Sequence, residues 1–173
     1  MIVADETLSS NKISDYAVIS SPAGSFVKLT AREGASEAAA RTAAPATKLF
    51  EKGQITISAK CFRDTVADET FAEMYVATAA DGAIFDGSDE LSGGNTAADF
   101  LNTDTPEVDR RLSEVFVIGA DAEMDEGEFN IVAPDGTHLL GQTTIAAKNG
   151  TLAGGDGVYG AGNVCLFGGE ISG

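Results

Sequence analysis

One stretch limits the folds open to this chain more than any other: Gln54–Phe62, QITISAKCF. Ile55, Ile57, Ala59 and Cys61 fall on one side of it, and Thr56, Ser58, Lys60 and Phe62 on the other. A period of two, rich in β-branched residues, marks a half-buried strand with one face against a core. The stretch carries one of only two cysteines; the other, Cys165, lies in a similar setting, NVCLF. Each cysteine has a phenylalanine close behind it, Phe62 and Phe167. The two segments are therefore expected to be strands of one core, near enough for a Cys61–Cys165 disulfide. A bridge closing about 100 residues stabilises by roughly 4–5 kcal/mol in the chain-entropy model, and by less in practice. Two buried free thiols, behaving as small apolar residues, are the alternative.

Composition narrows the class. The chain has 173 residues, enough for one domain or one domain plus an arm. Lys and Arg number 11 against 27 Asp and Glu, a net charge of −16. A nucleic-acid backbone would be repelled, as would an anionic membrane surface, and no basic stripe with interleaved aromatics is present. No apolar run approaches the roughly 20 residues that span a bilayer. Met1–Asp5 lacks the basic region and apolar run of a signal peptide. Two cysteines and one histidine are too few for a structural zinc site or a disulfide framework.

Residues 1–47 read as an N-terminal arm and Ala-rich linker, and residues 48–173 as the main domain. Within the arm, Ser25–Thr30 alternates as a strand would, and Ser36 is placed to cap a short helix over Glu37–Thr42. An unstructured Ala-rich linker fits the same residues. Beyond Lys48, strand patterns recur at Lys48–Glu51, Phe71–Thr78, Gly82–Phe85, Glu114–Ile118, Glu128–Ala133 and Thr137–Lys148. Thr105-Pro106-Glu107 reads as the start of a helix of about two turns. Asp81-Gly82, Asp86-Gly87, Pro134-Asp135-Gly136 and Asn149-Gly150 supply turns. Asn149-Gly150-Thr151 also matches the N-glycosylation acceptor, although a turn suffices to explain it. Short strands at 8–12-residue spacing point to a mainly β fold. We expect an antiparallel β-sandwich or jelly-roll-like architecture with one or two short helices.

The motifs that could carry chemistry are weak. Gly155–Gly160 matches G-x-G-x-x-G but no helix pattern follows it, so it reads as a glycine-rich loop rather than a dinucleotide site. Asp121–Gly127 begins like a calcium loop, yet Glu126 stands where glycine belongs and Val132 where glutamate belongs. A looser cluster of oxygens remains a candidate calcium site: Asp121, Glu123, Asp125 and Glu128, with Glu126 beside them. Asp81, Asp86, Asp89 and Glu90 form a second acidic group. His138 is the single histidine and reads as a sheet residue. With no G-x-S-x-G elbow, and only three tyrosines and no tryptophan to line a sugar cleft, no catalytic constellation stands out. No cofactor is expected beyond that calcium candidate.

Ala59–Thr65, Asp81–Gly87, Phe100–Glu107 and Gly162–Gly168 resemble stretches of a group of uncharacterised secreted all-β proteins of actinobacteria. The resemblance covers about Lys48 to Gly169. It implies export and favours the disulfide, and it implies no activity, substrate or catalytic residue. The absence of a signal peptide at Met1–Asp5 departs from that pattern.

These readings converge on a secreted or cell-surface module that is non-catalytic, with a binding or structural role. Its expected partner is an extracellular ligand or a second copy of itself, with no nucleic acid and no membrane insertion. The alternative is a self-assembling subunit of a filament, coat or shell, whose N-terminal arm adds a strand to a neighbour, with Ser25–Thr30 as the donated segment.

Overall fold

Gln54–Phe62 becomes the centre of one of two packed sheets. A computed structural model of the protein describes residues 16–19, 26–79, 84–86 and 111–172. In chain order it contains β1 (Tyr16–Ile19), β2 (Val27–Thr30), β3 (Arg32–Gly34), α1 (Glu37–Ala43), β4 (Thr47–Lys52) and β5 (Ile55–Asp64). There follow β6 (Glu69–Thr78), β7 (Ile84–Asp86), β8 (Arg111–Ile118), β9 (Asp121–Val132), β10 (His138–Asn149) and β11 (Val164–Ser172). The first sheet runs β1-β11-β10-β9-β7, and β2 shares with β1 the same edge of β11. The second runs β3-β5-β6-β8, with β4 also beside β5. All pairings are antiparallel except β3 with β5. The fold is the expected mainly β, sandwich-like one. The helix start at Thr105-Pro106-Glu107 and most of the second acidic group lie outside the described residues.

The inward faces follow the period-two reading. Ile55, Ile57, Ala59 and Cys61 of β5 meet Phe129 and Ile131 of β9, Ile145 and Ala147 of β10, and Cys165 and Phe167 of β11 in one core. Burying such aliphatic and aromatic side chains, at roughly 1.5–3 kcal/mol each for the larger ones, is what holds the two sheets face to face.

The other face of β5 differs from its half-exposed expectation. Ser58, Lys60 and Phe62 are buried there as well. The cause is α1, which lies across the outer side of the second sheet. Ser36 caps it, its hydroxyl accepting from Ala39 N at 3.1 Å. Ala40 and Ala44 pack with Phe62 and Phe71 in a second, smaller cluster. Alanines make a thin helix, and Gly34 lets it come closer still: a Cβ on Gly34 would stand 2.5 Å from Ala40 N. The Ala-rich stretch is therefore a docked helix. Residues 27–47, within the span read as arm and linker, supply β2 to the first sheet and β3, α1 and the start of β4 to the second.

The acidic stretch after Gly119 also departs from its reading as a loop. Asp121–Val132 is one long strand paired residue for residue with β10, from Asp121–Asn149 to Val132–His138. Pro134-Asp135-Gly136 turns the chain as expected, with Gly136 at φ 90° and Ala133 N donating to Thr137 O at 2.8 Å.

Candidate functional site

Among the described residues, ties cross between the sheets at three levels, and their positions follow from strand register. In the middle, Cys61 on β5 and Cys165 on β11 are joined by a disulfide with 5.8 Å between Cα atoms. Both side chains lie in the core between the sheets, as the alternation around Cys61 and the similar setting of Cys165 led us to expect. At one end, the turn before β5 meets the turn before β10. Gln54 N donates to Asp135 Oδ2 at 3.1 Å, and Asp135 N donates to Gln54 Oε1 at 3.1 Å. Asp135 also accepts from Thr137 N. Backbone donors, that of Thr137 foremost, lower the pKa of the Asp135 carboxyl.

At the opposite end, Asn149 finishes β10 with its side chain fully buried. Its Oδ1 accepts from Thr70 Oγ1 at 2.6 Å and from Arg63 Nε at 3.2 Å. Its Nδ2 donates to Asp68 O at 2.8 Å and to Asp68 Oδ1 at 3.1 Å. The Asn149 amide is thus engaged inside the fold, where a glycosylation acceptor must be exposed. Among the described residues Asp68 is the one non-glycine with positive φ, 59°. The hydrogen bond from Arg63, first, and then that from Asn149 lower its pKa.

The outer face of the second sheet holds a buried ionic cluster that the sequence reading did not identify. Glu73 on β6 has no exposed side-chain surface. Arg41 of α1 holds it with a two-pronged grip, Nε to Oε1 at 2.9 Å and Nη2 to Oε2 at 2.8 Å. Tyr75 donates its hydroxyl to Glu73 Oε1. Burial by itself would raise the Glu73 pKa; the Arg41 hydrogen bonds, with further donors, reverse this and bring it down to about 2. Burial and the neighbouring Glu73 charge push the Tyr75 phenol up. Arg41 also reaches Glu37 at 2.6 Å and lies over the Phe62 ring at 5.0 Å. Lys60 Nζ donates to Arg41 O at 2.8 Å, satisfying a carbonyl of the helix's last turn. The cluster's visible work is to fasten α1 to the sheet.

A similar device holds the glycine-rich loop between β10 and β11. Lys148, fully buried, reaches Asp156 Oδ1 at 2.7 Å, and Asn163 Oδ1 accepts from Gly150 N at 2.7 Å. Gly155–Gly160 thus belongs to a loop pinned on the outer side of the first sheet.

One open groove, of about 310 Å³, lies where the chain crosses from β2 to β3. Leu29, Ala31, Arg32, Pro45, Thr47 and Cys61 are among its lining residues.

The calcium candidates are not brought together. Asp121, Glu123 and Asp125 are exposed and successive on one side of β9, while Glu128 is on the other. At about 3.3 Å per residue, Asp121 and Asp125 stand roughly 13 Å apart along the strand. Among the described residues no group of three or more His, Cys, Asp and Glu side chains is close enough to hold a metal ion. His138 is an exposed sheet residue whose Nε2 lies 2.6 Å from Asn130 Oδ1.

The chain matches no family model, and neither a curated protein nor a solved structure is significantly similar to it. The disulfide is compatible with an extracellular location. Among the described residues no helix is long and apolar enough to cross a membrane.

Proposed function

We propose that this chain is a secreted or cell-surface β-sandwich module with a binding or structural role. The observation that carries the proposal is the buried Cys61–Cys165 bridge, which joins the two sheets. Disulfides of this kind form and persist in oxidising compartments. The buried charges support the same reading, because Arg41 with Glu73 and Lys148 with Asp156 are occupied in fastening a helix and a loop. A net charge of −16 keeps such a module soluble and selects against polyanionic partners such as nucleic acid.

A second reading, self-assembly by strand exchange, rests on β1. Tyr16–Ile19 pairs along Gly169–Ser172 at the edge of the first sheet, a position that a strand from another copy fills equally well. Ser25–Thr30, the segment expected to be donated, overlaps β2, which pairs with β11 of its own chain.

Size-exclusion chromatography with light scattering separates the two. The full chain and a chain lacking residues 1–20 are compared, each with and without reductant. A monomer of unchanged behaviour after truncation supports the binding module. A large assembly that disappears on truncation moves the function to the assembling subunit.

A further inference from the structure

We propose that Cys61, and not Cys165, is the sulfur at which small anionic thiols open the bridge, making Cys61 a site of reversible S-thiolation. The two cysteines occupy unequal positions. On β11, Cys165 is paired on both sides, with Leu29 of β2 and Ala147 of β10, and it is 0% exposed. On β5, Cys61 is paired with Ala72 of β6 on one side. On the other side the β4 register ends at Thr47–Ala59 and the β3 register begins at Arg32–Phe62. Lys60 and Cys61 fall between these two edge strands. The groove opens at that interval, and Cys61, 4% exposed, is part of its lining.

Thiol–disulfide exchange needs a thiolate to reach a disulfide sulfur, so access selects which sulfur is attacked. A groove of about 310 Å³ admits a low-molecular-weight thiol and not a folded thiol protein. Arg32 lines it and offers a positive charge against the chain's overall −16, which favours a thiol carrying carboxylates. In the step itself the incoming thiolate forms a new S–S bond to Cys61 Sγ. The Cys61–Cys165 bond breaks, and its electron pair leaves on Cys165 Sγ, which takes up a proton equivalent to the one the incoming thiol gave up. One disulfide is exchanged for another, so no external oxidant enters. A second thiol attacking the mixed disulfide at its own sulfur releases Cys61 as the thiol.

The test uses the full oxidised chain with glutathione at neutral pH, stopped at short times with acid, then unfolded and alkylated with N-ethylmaleimide in guanidinium chloride so that buried thiols are reached, and mapped by peptide mass. The expected product carries glutathione on Cys61 and maleimide on Cys165, in excess over the reverse product by roughly tenfold or more. Arg32→Gln is expected to slow the reaction with glutathione several-fold and that with uncharged 2-mercaptoethanol by less than about twofold. Its urea midpoint in the oxidised form reports that the fold is intact. Glutathione on Cys165, an even distribution, or no reaction with folded protein would overturn the proposal. So would a rate that rises with urea in step with the unfolded fraction, because access would then come from unfolding and not from the groove.

Discussion

The Asn149 side chain, at the end of β10, donates to the main-chain carbonyl of Asp68 at 2.8 Å and so ties the first sheet to a hairpin of the second. The same amide group accepts from Thr70, whose side chain is fully buried. Truncating it leaves a buried hydroxyl and a turn carbonyl short of partners, which is the costly way to lose a hydrogen bond. Asn149→Ala is expected to destabilise by about 2–3 kcal/mol. Equilibrium urea unfolding should show the midpoint falling at unchanged slope. A loss within about 0.5 kcal/mol would mean that the disulfide and core hold the sheets without this tie. Asp135→Ala at the other end, where the partners are open to water, should cost less.

The disulfide acts on the unfolded chain as much as on the folded one. It links residues 104 apart in sequence, so the reduced unfolded state gains a large ensemble. The double variant Cys61→Ala/Cys165→Ala is expected to lose on the order of 2–5 kcal/mol. Urea titrations of oxidised wild type, reduced wild type and the double variant check this. The last two should nearly coincide, since Ala fills most of the space of a buried thiol. A reduced protein as stable as the oxidised one would remove the bridge from the list of what holds the sandwich.

What the sequence made legible was whatever depends on local pattern. The alternation in QITISAKCF and the setting of NVCLF placed both cysteines on inward faces, and Pro134-Asp135-Gly136 turned where its residue types require. The acidic strand β9 was obscured because both its faces near Asp121–Glu126 are exposed, so burial imposes no alternation there. The helix over Glu37–Ala43 could be read from Ser36 and its alanines, but its docking could not. That docking depends on Gly34 and on Glu73, which is 32 residues beyond Arg41. The groove was invisible for a related reason: it arises from where two edge strands stop and start along β5.

Gly34 is where the closeness of that docking can be tested. An added Cβ would stand 2.5 Å from Ala40 N and 2.6 Å from Ala40 Cα, both backbone atoms that cannot turn aside. The helix has to shift outward, and overpacking of this sort costs typically about 1–3 kcal/mol. Gly34→Ala should therefore destabilise, where glycine to alanine in an open strand would be neutral or stabilising. Combined with Arg41→Met it should cost less than the sum of the two, because both loosen the same contact. Simple additivity in urea unfolding would show that Gly34 does not act through α1.

Arg41 and Glu73 give a prediction whose size changes with pH. In the folded protein the Glu73 carboxyl has its pKa lowered from 4.5 to about 2, so the unfolded state binds the proton more readily. The pair's stabilisation is therefore fully present above about pH 5 and drains away as the pH falls from there toward about 2. Arg41→Met leaves the buried carboxylate without its strongest partner and is expected to cost about 3–5 kcal/mol at pH 7. In that variant burial dominates and raises the folded pKa, so the protein gains stability relative to wild type on acidification. Glu73→Gln removes the titration of that carboxyl and leaves that of Glu114, its hydrogen-bonded neighbour across on β8. Urea unfolding of the three proteins at pH 7, 5 and 3 should show the gap between wild type and Arg41→Met narrowing steadily. A gap that stays constant over that range would mean that Glu73 is not held ionised by Arg41, and that α1 is fastened by its alanine face alone.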